Sequence, residues 1–154
     1  MNWGEYKEFD KPSKEWLMNI IHKNSDYRLF GDLDEELYKD GDLVFKKGNK
    51  RVIFELEVRH AFDDIVNKYN TIHIPIRKKN TPANFYVVLK PDFQQFILIK
   101  NEIIKKYADK ITNVRCSKER FCDTSYTEEF LDIKKSDTQW YVVSKNHKLI
   151  KLNY

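Results

Sequence analysis

Cysteine, glycine and proline are scarce in this sequence, and their scarcity excludes several classes of protein. The 154 residues include 2 cysteines, 4 glycines and 4 prolines. Two cysteines are too few for the disulfide framework of a small secreted domain. Cys116 and Cys122 also lack the spacing of a zinc-binding pair, so we interpret them as free thiols. With so little glycine, the sequence contains neither a phosphate-binding loop nor a dinucleotide-binding fingerprint.

Long apolar runs are missing as well. No stretch approaches the roughly 18 apolar residues that would predict a membrane-spanning helix. The N-terminal segment also lacks the apolar centre of a signal peptide. We therefore expect a cytoplasmic protein that has no membrane partner.

The composition that remains is typical of a globular domain. Hydrophobic residues make up 41% of the chain and charged residues 34%, a balance that disordered chains do not show. The length predicts one domain over residues 1–154. The net charge of +4, from 28 basic and 24 acidic residues, permits a polyanionic partner without requiring one.

Hydrophobic periodicity predicts an α/β or α+β fold. A helix is predicted to begin at Ser13, which can cap it, and the clearest strand spans residues 51–59. Further helices are predicted over residues 33–38, 61–69 and 101–107, strands over 42–45, 71–77, 84–89, 95–99, 140–143 and 148–152, and a short apolar segment over 130–133.

The strand over residues 51–59 carries acidic side chains on one face. Side chains two residues apart on a strand point the same way, so Glu55, Glu57 and Arg59 share a face, whereas the residues between them are apolar. The two carboxylates repel each other unless solvent, a cation or basic neighbours neutralise them. A hard divalent cation such as Mg²⁺ prefers such oxygen ligands. The alternative is a half-exposed strand whose solvent-facing side carries acidic residues without any functional role.

Asp42 begins the preceding predicted strand. Residues 46–50 between the two strands are typical of a hairpin loop, and the turn could be as tight as Gly48-Asn49. That register would bring Asp42 near Glu55, or one pair away if a bulge intervenes.

Asp42, a hairpin and then Glu55-Leu56-Glu57 resemble the PD-(D/E)XK nuclease superfamily. The resemblance covers residues 33–107, with an N-terminal helix before this core and a strand extension after it. It implies a restriction-endonuclease-like core of helix, three strands, helix and strand, in which a central mixed sheet is flanked by helices. Two features depart from the pattern. Glu57 occupies the position of the motif lysine, and the proline and first acidic residue of the name are absent before Asp42.

The resemblance also implies roles for individual residues. Asp42, Glu55 and Glu57 would be catalytic, and Asp42, Glu55 and the backbone carbonyl of Leu56 would hold Mg²⁺ or Mn²⁺. A further carboxylate from a helix would come from Glu15, Glu35 or Glu36. The expected partner is nucleic acid, DNA in the first place, and the expected contacts are Lys46, Lys47, Lys50, Arg59, Arg77 and Lys78.

Several alternatives stay open from the sequence. The chain could be a metal-dependent nuclease, a non-catalytic nucleic-acid- or protein-binding module of the same fold, or an unrelated α+β interaction domain. Glu57 in place of lysine keeps the second alternative open. A lysine-rich hairpin tip is also common as a solubilising surface. The sequence does not decide between DNA and RNA, and it leaves a homodimer open.

Overall fold

A computed structural model describes residues 3–33, 43–117 and 125–152 of the chain. Its helices are α1 (Trp3–Asn24), α2 (Phe62–Asn67) and α3 (Asn101–Lys106). Its strands are β1 (Arg28–Leu29), β2 (Leu43–Lys47), β3 (Lys50–Val58), β4 (Thr71–Pro75), β5 (Phe85–Leu89), β6 (Gln95–Lys100), β7 (Ile111–Ser117), β8 (Ser125–Lys134), β9 (Gln139–Val143) and β10 (Leu149–Leu152).

The strands form two sheets. The larger has seven strands in the order β1-β2-β3-β5-β6-β9-β10, and the smaller has three in the order β4-β8-β7. Strands β3 and β5 are parallel, and the chain between them includes α2 and β4, which provide the crossover that parallel pairing requires. All other described neighbours are antiparallel. Strands β9 and β10 extend the same large sheet at its far edge.

The mixed α/β class is confirmed, but sheet dominates more than the expected helix-flanked architecture implies. One face of the large sheet is covered by α1, through Trp16, Leu17 and Ile20. The other face is covered mainly by the small sheet, with α2 and α3 beside it. The apolar segment 130–133 explains this difference. It belongs to the long strand β8, whose Leu131 and Ile133 are fully buried between the sheets.

Helix α1 begins ten residues before Ser13, so the prediction that Ser13 caps its start is wrong. Pro12 lies inside the helix, where it has no N–H to donate. The Ser13 hydroxyl instead donates a hydrogen bond to the Asp10 carbonyl at 2.9 Å. The predicted apolar face is correct, since Trp16, Leu17 and Ile20 are buried at helical spacing.

The β2–β3 hairpin turns at Gly48 and Asn49, the tighter of the two predicted arrangements. Lys47 pairs with Lys50, and the last described pair at the other end joins Leu43 to Phe54. Gly48 has φ +60°, the conformation that the first position of a type II′ turn requires. Asp42 lies outside the described residues, as does the predicted helix over residues 33–38 beyond Leu33.

The prediction of a strand over residues 71–77 is correct only as far as Pro75. Residues Ile76–Lys78 form a 3-10 turn, and the Lys79 N–H donates to the Ile76 carbonyl at 3.0 Å. A proline has no N–H to donate to a sheet, which favours the end of the strand there. The turn redirects Arg77 and Lys78 away from strand alternation.

None of the helices in the described parts of the chain is both long and apolar enough to cross a membrane.

Candidate functional site on the face of strand β3

Strand β3 separates an apolar face from a charged one, as the sequence predicts. Phe54 is buried against the α1 side of the sheet. Glu55 and Glu57 point to the opposite side, toward the small sheet. In the parallel neighbour β5, Glu55 pairs with Tyr86 and Glu57 pairs with Val88, both of which belong to the core between the sheets. The acidic side chains therefore lie between the two layers, at the margin of an apolar core.

Glu55 is buried, with 8% of its surface exposed, and it is hydrogen-bonded on both oxygens. Its Oε2 accepts from Lys78 Nζ at 2.8 Å, and its Oε1 accepts from the Thr81 hydroxyl at 3.1 Å. Lys78 comes from the 3-10 turn after β4, and Thr81 from the loop before β5. A buried carboxylate needs such partners, because desolvating an unpaired charge is costly.

Glu57 accepts hydrogen bonds from Arg59 and Tyr86. Arg59 donates in bidentate fashion, from Nε to Oε1 at 2.7 Å and from its terminal nitrogen to Oε2 at 2.9 Å. Tyr86 donates its hydroxyl to Oε2 at 2.5 Å. The same Arg59 nitrogen donates to the His73 carbonyl at 3.0 Å, which links β3 to β4 in the other sheet.

These contacts shift the pKa values of the donors. Burial raises the pKa of Tyr86 well above its ordinary value, and the charge of Glu57 raises it further, so the phenol stays protonated. Burial alone would lower the pKa of Arg59, but the charge and hydrogen bonds of Glu57 outweigh it and the pKa is raised. At neutral pH, Tyr86 and Arg59 are therefore donors, and neither is a proton acceptor.

Both carboxylates are neutralised by basic side chains. The sequence had left solvent, a cation or basic neighbours open as the means of neutralisation. Lys78 pairs with Glu55, and Arg59 pairs with Glu57. Over the described ranges 3–33, 43–117 and 125–152, three or more acidic, histidine or cysteine side chains nowhere cluster as a metal site would require. Asp42, the third predicted acidic residue, lies outside those ranges. Leu43, the residue after Asp42, pairs with Phe54, the residue before Glu55.

The structure divides the predicted basic residues between different surfaces. Lys46 shares the sheet face of Glu55, whereas Lys47 and Lys50 pair on the α1 face of the hairpin. Arg77 is 69% exposed and lies 3.7 Å from Glu128, a surface pair away from Glu55. Of the two residues in the predicted 77–78 pair, it is Lys78 that contacts the acidic face.

Among the candidate helix carboxylates, Glu15 is exposed on α1, which covers the opposite side of the large sheet from Glu55. Glu35 and Glu36 lie outside the described residues.

Thr81 and Tyr86 complete the site, and sequence reasoning did not find them. Tyr86 carries a weak signal, because a tyrosine within the apolar run of β5 needs a partner for its hydroxyl once it is buried. Thr81 carries none, since its contact with Glu55 joins residues 26 positions apart through a loop.

Comparison with protein-family models and with curated proteins finds no match to this chain.

Proposed function

We propose that the chain is a nuclease-like domain that hydrolyses nucleic-acid phosphodiester bonds at the β3 face. One observation carries the proposal: Lys78 Nζ lies 2.8 Å from Glu55 Oε2. The resemblance to PD-(D/E)XK nucleases expects a carboxylate and an amine together, and Glu57 occupies the expected lysine position. Lys78 supplies an ammonium group to the same carboxylate from another element of the fold.

The order of elements supports this proposal. Within residues 33–107, strands β2 and β3, helix α2 and the parallel strand β5 follow the order strand, strand, helix, strand, and α1 and the two-residue strand β1 precede them. Strand β4 and the 3-10 turn that carries Lys78 interrupt this order between α2 and β5. An insertion at that point delivers a lysine to the face where the resemblance expects one.

The described side chains suggest separate roles. Lys78 would place its positive charge beside the scissile phosphate and stabilise charge that builds there. Glu57 has its oxygens engaged by Arg59 and Tyr86, so we assign it to positioning rather than to proton transfer. Arg59 would fix β3 against β4 through the His73 carbonyl.

We propose that Asp42 completes a metal site at this face. A carboxylate has about four lone-pair positions, so Glu55 can accept from Lys78 and still ligate an ion. Asp42, Glu55 and the Leu56 carbonyl would hold Mg²⁺ or Mn²⁺, and the ion would supply an activated water at neutral pH.

The test is cleavage of plasmid, linear DNA and RNA with and without Mg²⁺ or Mn²⁺. We expect metal-dependent cleavage by the wild type and a loss of at least about a hundredfold in Glu55→Gln, the size typical of a lost charge-stabilising group. Glu15→Gln on α1 is the matched control, because Glu15 is an exposed carboxylate and α1 covers the opposite side of the large sheet from Glu55. Cleavage by Glu55→Gln at the wild-type rate would refute the proposal.

A second function is that of a non-catalytic module that binds nucleic acid or protein. It is favoured by the hydrogen bonds and ion pairs that both carboxylates already make within the protein. Glu57 accepts three hydrogen bonds from Arg59 and Tyr86, and Glu55 already has a cationic partner. On this account, the wild type binds oligonucleotides or a protein ligand but cleaves nothing in either metal. Metal-dependent cleavage that is lost in Glu55→Gln would exclude it.

A further inference from the structure

Basic side chains form a row across the first three strands of the large sheet. Arg28 pairs with Lys46, and Lys46 pairs with Arg51, so the three lie side by side on one face. Neighbouring strands are about 4.8 Å apart. Like charges directly opposite each other destabilise a sheet. Arg28 Nη1 also donates to the Ser25 and Tyr27 carbonyls at 3.0 and 2.8 Å, hydrogen bonds that leave its positive charge in place. A polyanion along the row would reduce the repulsion between these side chains.

An exposed aromatic ring adjoins this row. The Phe30 N–H donates to the Val44 carbonyl at 2.9 Å, which continues the β1–β2 register by one residue. Phe30 therefore shares the face of Arg28, two residues before it. Lys46 Nζ lies 3.7 Å from the centroid of the Phe30 ring, and Phe30 is still 49% exposed.

The row and the ring lie on the same sheet face as Glu55. Arg51, Ile53 and Glu55 alternate along β3, so all three point to that face. Arg51 and Glu55 are four residues apart, or about 13 Å along the strand. At about 3.4 Å per nucleotide along one strand of a duplex, that distance corresponds to some four nucleotides, and to fewer in an extended single strand.

We propose that Arg28, Phe30, Lys46 and Arg51, here called the Phe30 surface, bind single-stranded nucleic acid and lead it toward Glu55. The cations contact phosphates, and an unpaired base stacks on the Phe30 ring. A duplex keeps its bases stacked on one another and offers no free base to the ring, whereas a single strand does. The inference names the substrate of the proposed nuclease site and in that respect rests on the proposed function.

The test is fluorescence anisotropy with labelled oligo(dT), oligo(U) and a DNA duplex of the same length, in the absence of divalent metal. We expect the wild type to prefer the single strands. Phe30→Leu should bind them about tenfold more weakly, because it loses the aromatic face, and Phe30→Trp should restore binding. The affinity of Phe30→Leu for the duplex should differ little from that of the wild type.

The hairpin supplies a charge control. Lys46→Gln should reduce the slope of log affinity against log salt by about 0.7 for single strands. Lys50→Gln removes the same charge from the other face of the same hairpin and should leave the slope nearly unchanged. Equal effects of the two lysine variants, or single-strand binding by Phe30→Leu that matches the wild type, would overturn the inference.

The outcomes also separate this inference from the proposed function. Binding that depends on Phe30 without any metal-dependent cleavage supports the Phe30 surface and refutes the nuclease. Cleavage that depends on Glu55 but not on Phe30 supports the nuclease and refutes the Phe30 surface.

Discussion

At the scale of single residues, the site is defined by which cation neutralises which carboxylate. Glu55 and Glu57 are separated by one residue on a strand, and like charges at that spacing would destabilise it. The fold provides Lys78 for one and Arg59 for the other. The pairs differ in origin. Arg59 is on the same chain segment as Glu57, whereas Lys78 reaches Glu55 from a turn 23 residues away.

The Arg59 guanidinium should contribute strongly to stability. Arg59→Met removes both hydrogen bonds to Glu57 and the one to the His73 carbonyl. We expect a loss of about 3 kcal/mol in the free energy of unfolding, because a partly buried carboxylate loses its counter-charge. Urea unfolding measures it.

Arg77→Met is the control for this substitution, since Arg77 is 69% exposed in a surface pair with Glu128. It should change stability by no more than about 0.5 kcal/mol. An Arg59→Met variant as stable as the Arg77→Met variant would contradict the structural role of Arg59.

Some contacts on the β3 face can be predicted from the sequence, and others cannot. The common face of Glu55, Glu57 and Arg59 follows from strand alternation alone. Strand alternation does not predict that Lys78, rather than Arg77, contacts Glu55. This contact depends on β4 ending at Pro75 and on a 3-10 turn that changes the direction of the next side chains. Thr81 and Tyr86 depend on the pairing of β3 with β5, a contact that local patterns do not encode.

At the scale of elements, the β2–β3 hairpin sets the register of the site. Its two-residue turn fixes every pair from Lys47–Lys50 to Leu43–Phe54. A shift of one residue would move Glu55 to the α1 face and Phe54 to the charged face. The turn is therefore as important to the site as the side chains in it.

Gly48 makes this turn possible, because its φ of +60° disfavours residues with a Cβ. Gly48→Ala should cost about 1 kcal/mol in the free energy of unfolding, and Asn49→Ala less, since Asn49 is not among the residues with positive φ. No heavy atom lies within 4 Å of a Cβ added at Gly48, so the cost would come from the backbone alone. Denaturant unfolding of the two variants measures the difference. Equal stability of Gly48→Ala and the wild type would contradict this view of the turn.

Local patterns predicted most strands of the large sheet, but of the small sheet they predicted only β4 as a strand. Strands β3, β5, β6 and β9 are apolar runs bounded by turns, and each was predicted near its observed position. Strand β7 was not predicted, because polar residues alternate with few apolar ones along it. Strand β8 was recognised only where both inward positions, Leu131 and Ile133, are apolar.

At the scale of the whole molecule, a polar contact outside the site joins the end of α3 to the turn that connects the small sheet to the large one. Asp137, in the turn between β8 and β9, accepts hydrogen bonds from Tyr107 and from Lys106 at the end of α3. These hydrogen bonds lower the pKa of Asp137, and the bond from Tyr107 has the larger effect.

This contact predicts a dependence of stability on pH. A carboxyl whose pKa is lower in the folded state stabilises the fold above its unfolded pKa, which is about 3.9, and loses that contribution as the pH falls through the folded value. Asp137→Asn should therefore flatten the loss of stability between about pH 5 and pH 2. Denaturant midpoints across that range measure it, with the exposed Asp109→Asn as control. Identical pH profiles for Asp137→Asn and the wild type would contradict the prediction.

The layered arrangement of the molecule was the least predictable feature. Helix-flanked sheets and sheets covered by a second sheet both need strands that are buried on two faces, as β5 is. The difference depends on what packs above them, and the residues that do so, in β4 and β8, are distant in sequence. The charged face of β3 faces this second layer, which is how Lys78 reaches it.

The most direct test of the account is the rate of metal-dependent cleavage by Glu55→Gln, Lys78→Met and the double variant. If the two groups act as a unit at the phosphate, the double variant should be about as slow as either single variant, rather than slower by the product of both effects. Cleavage by the double variant at the wild-type rate would show that the β3 face is not where the reaction takes place.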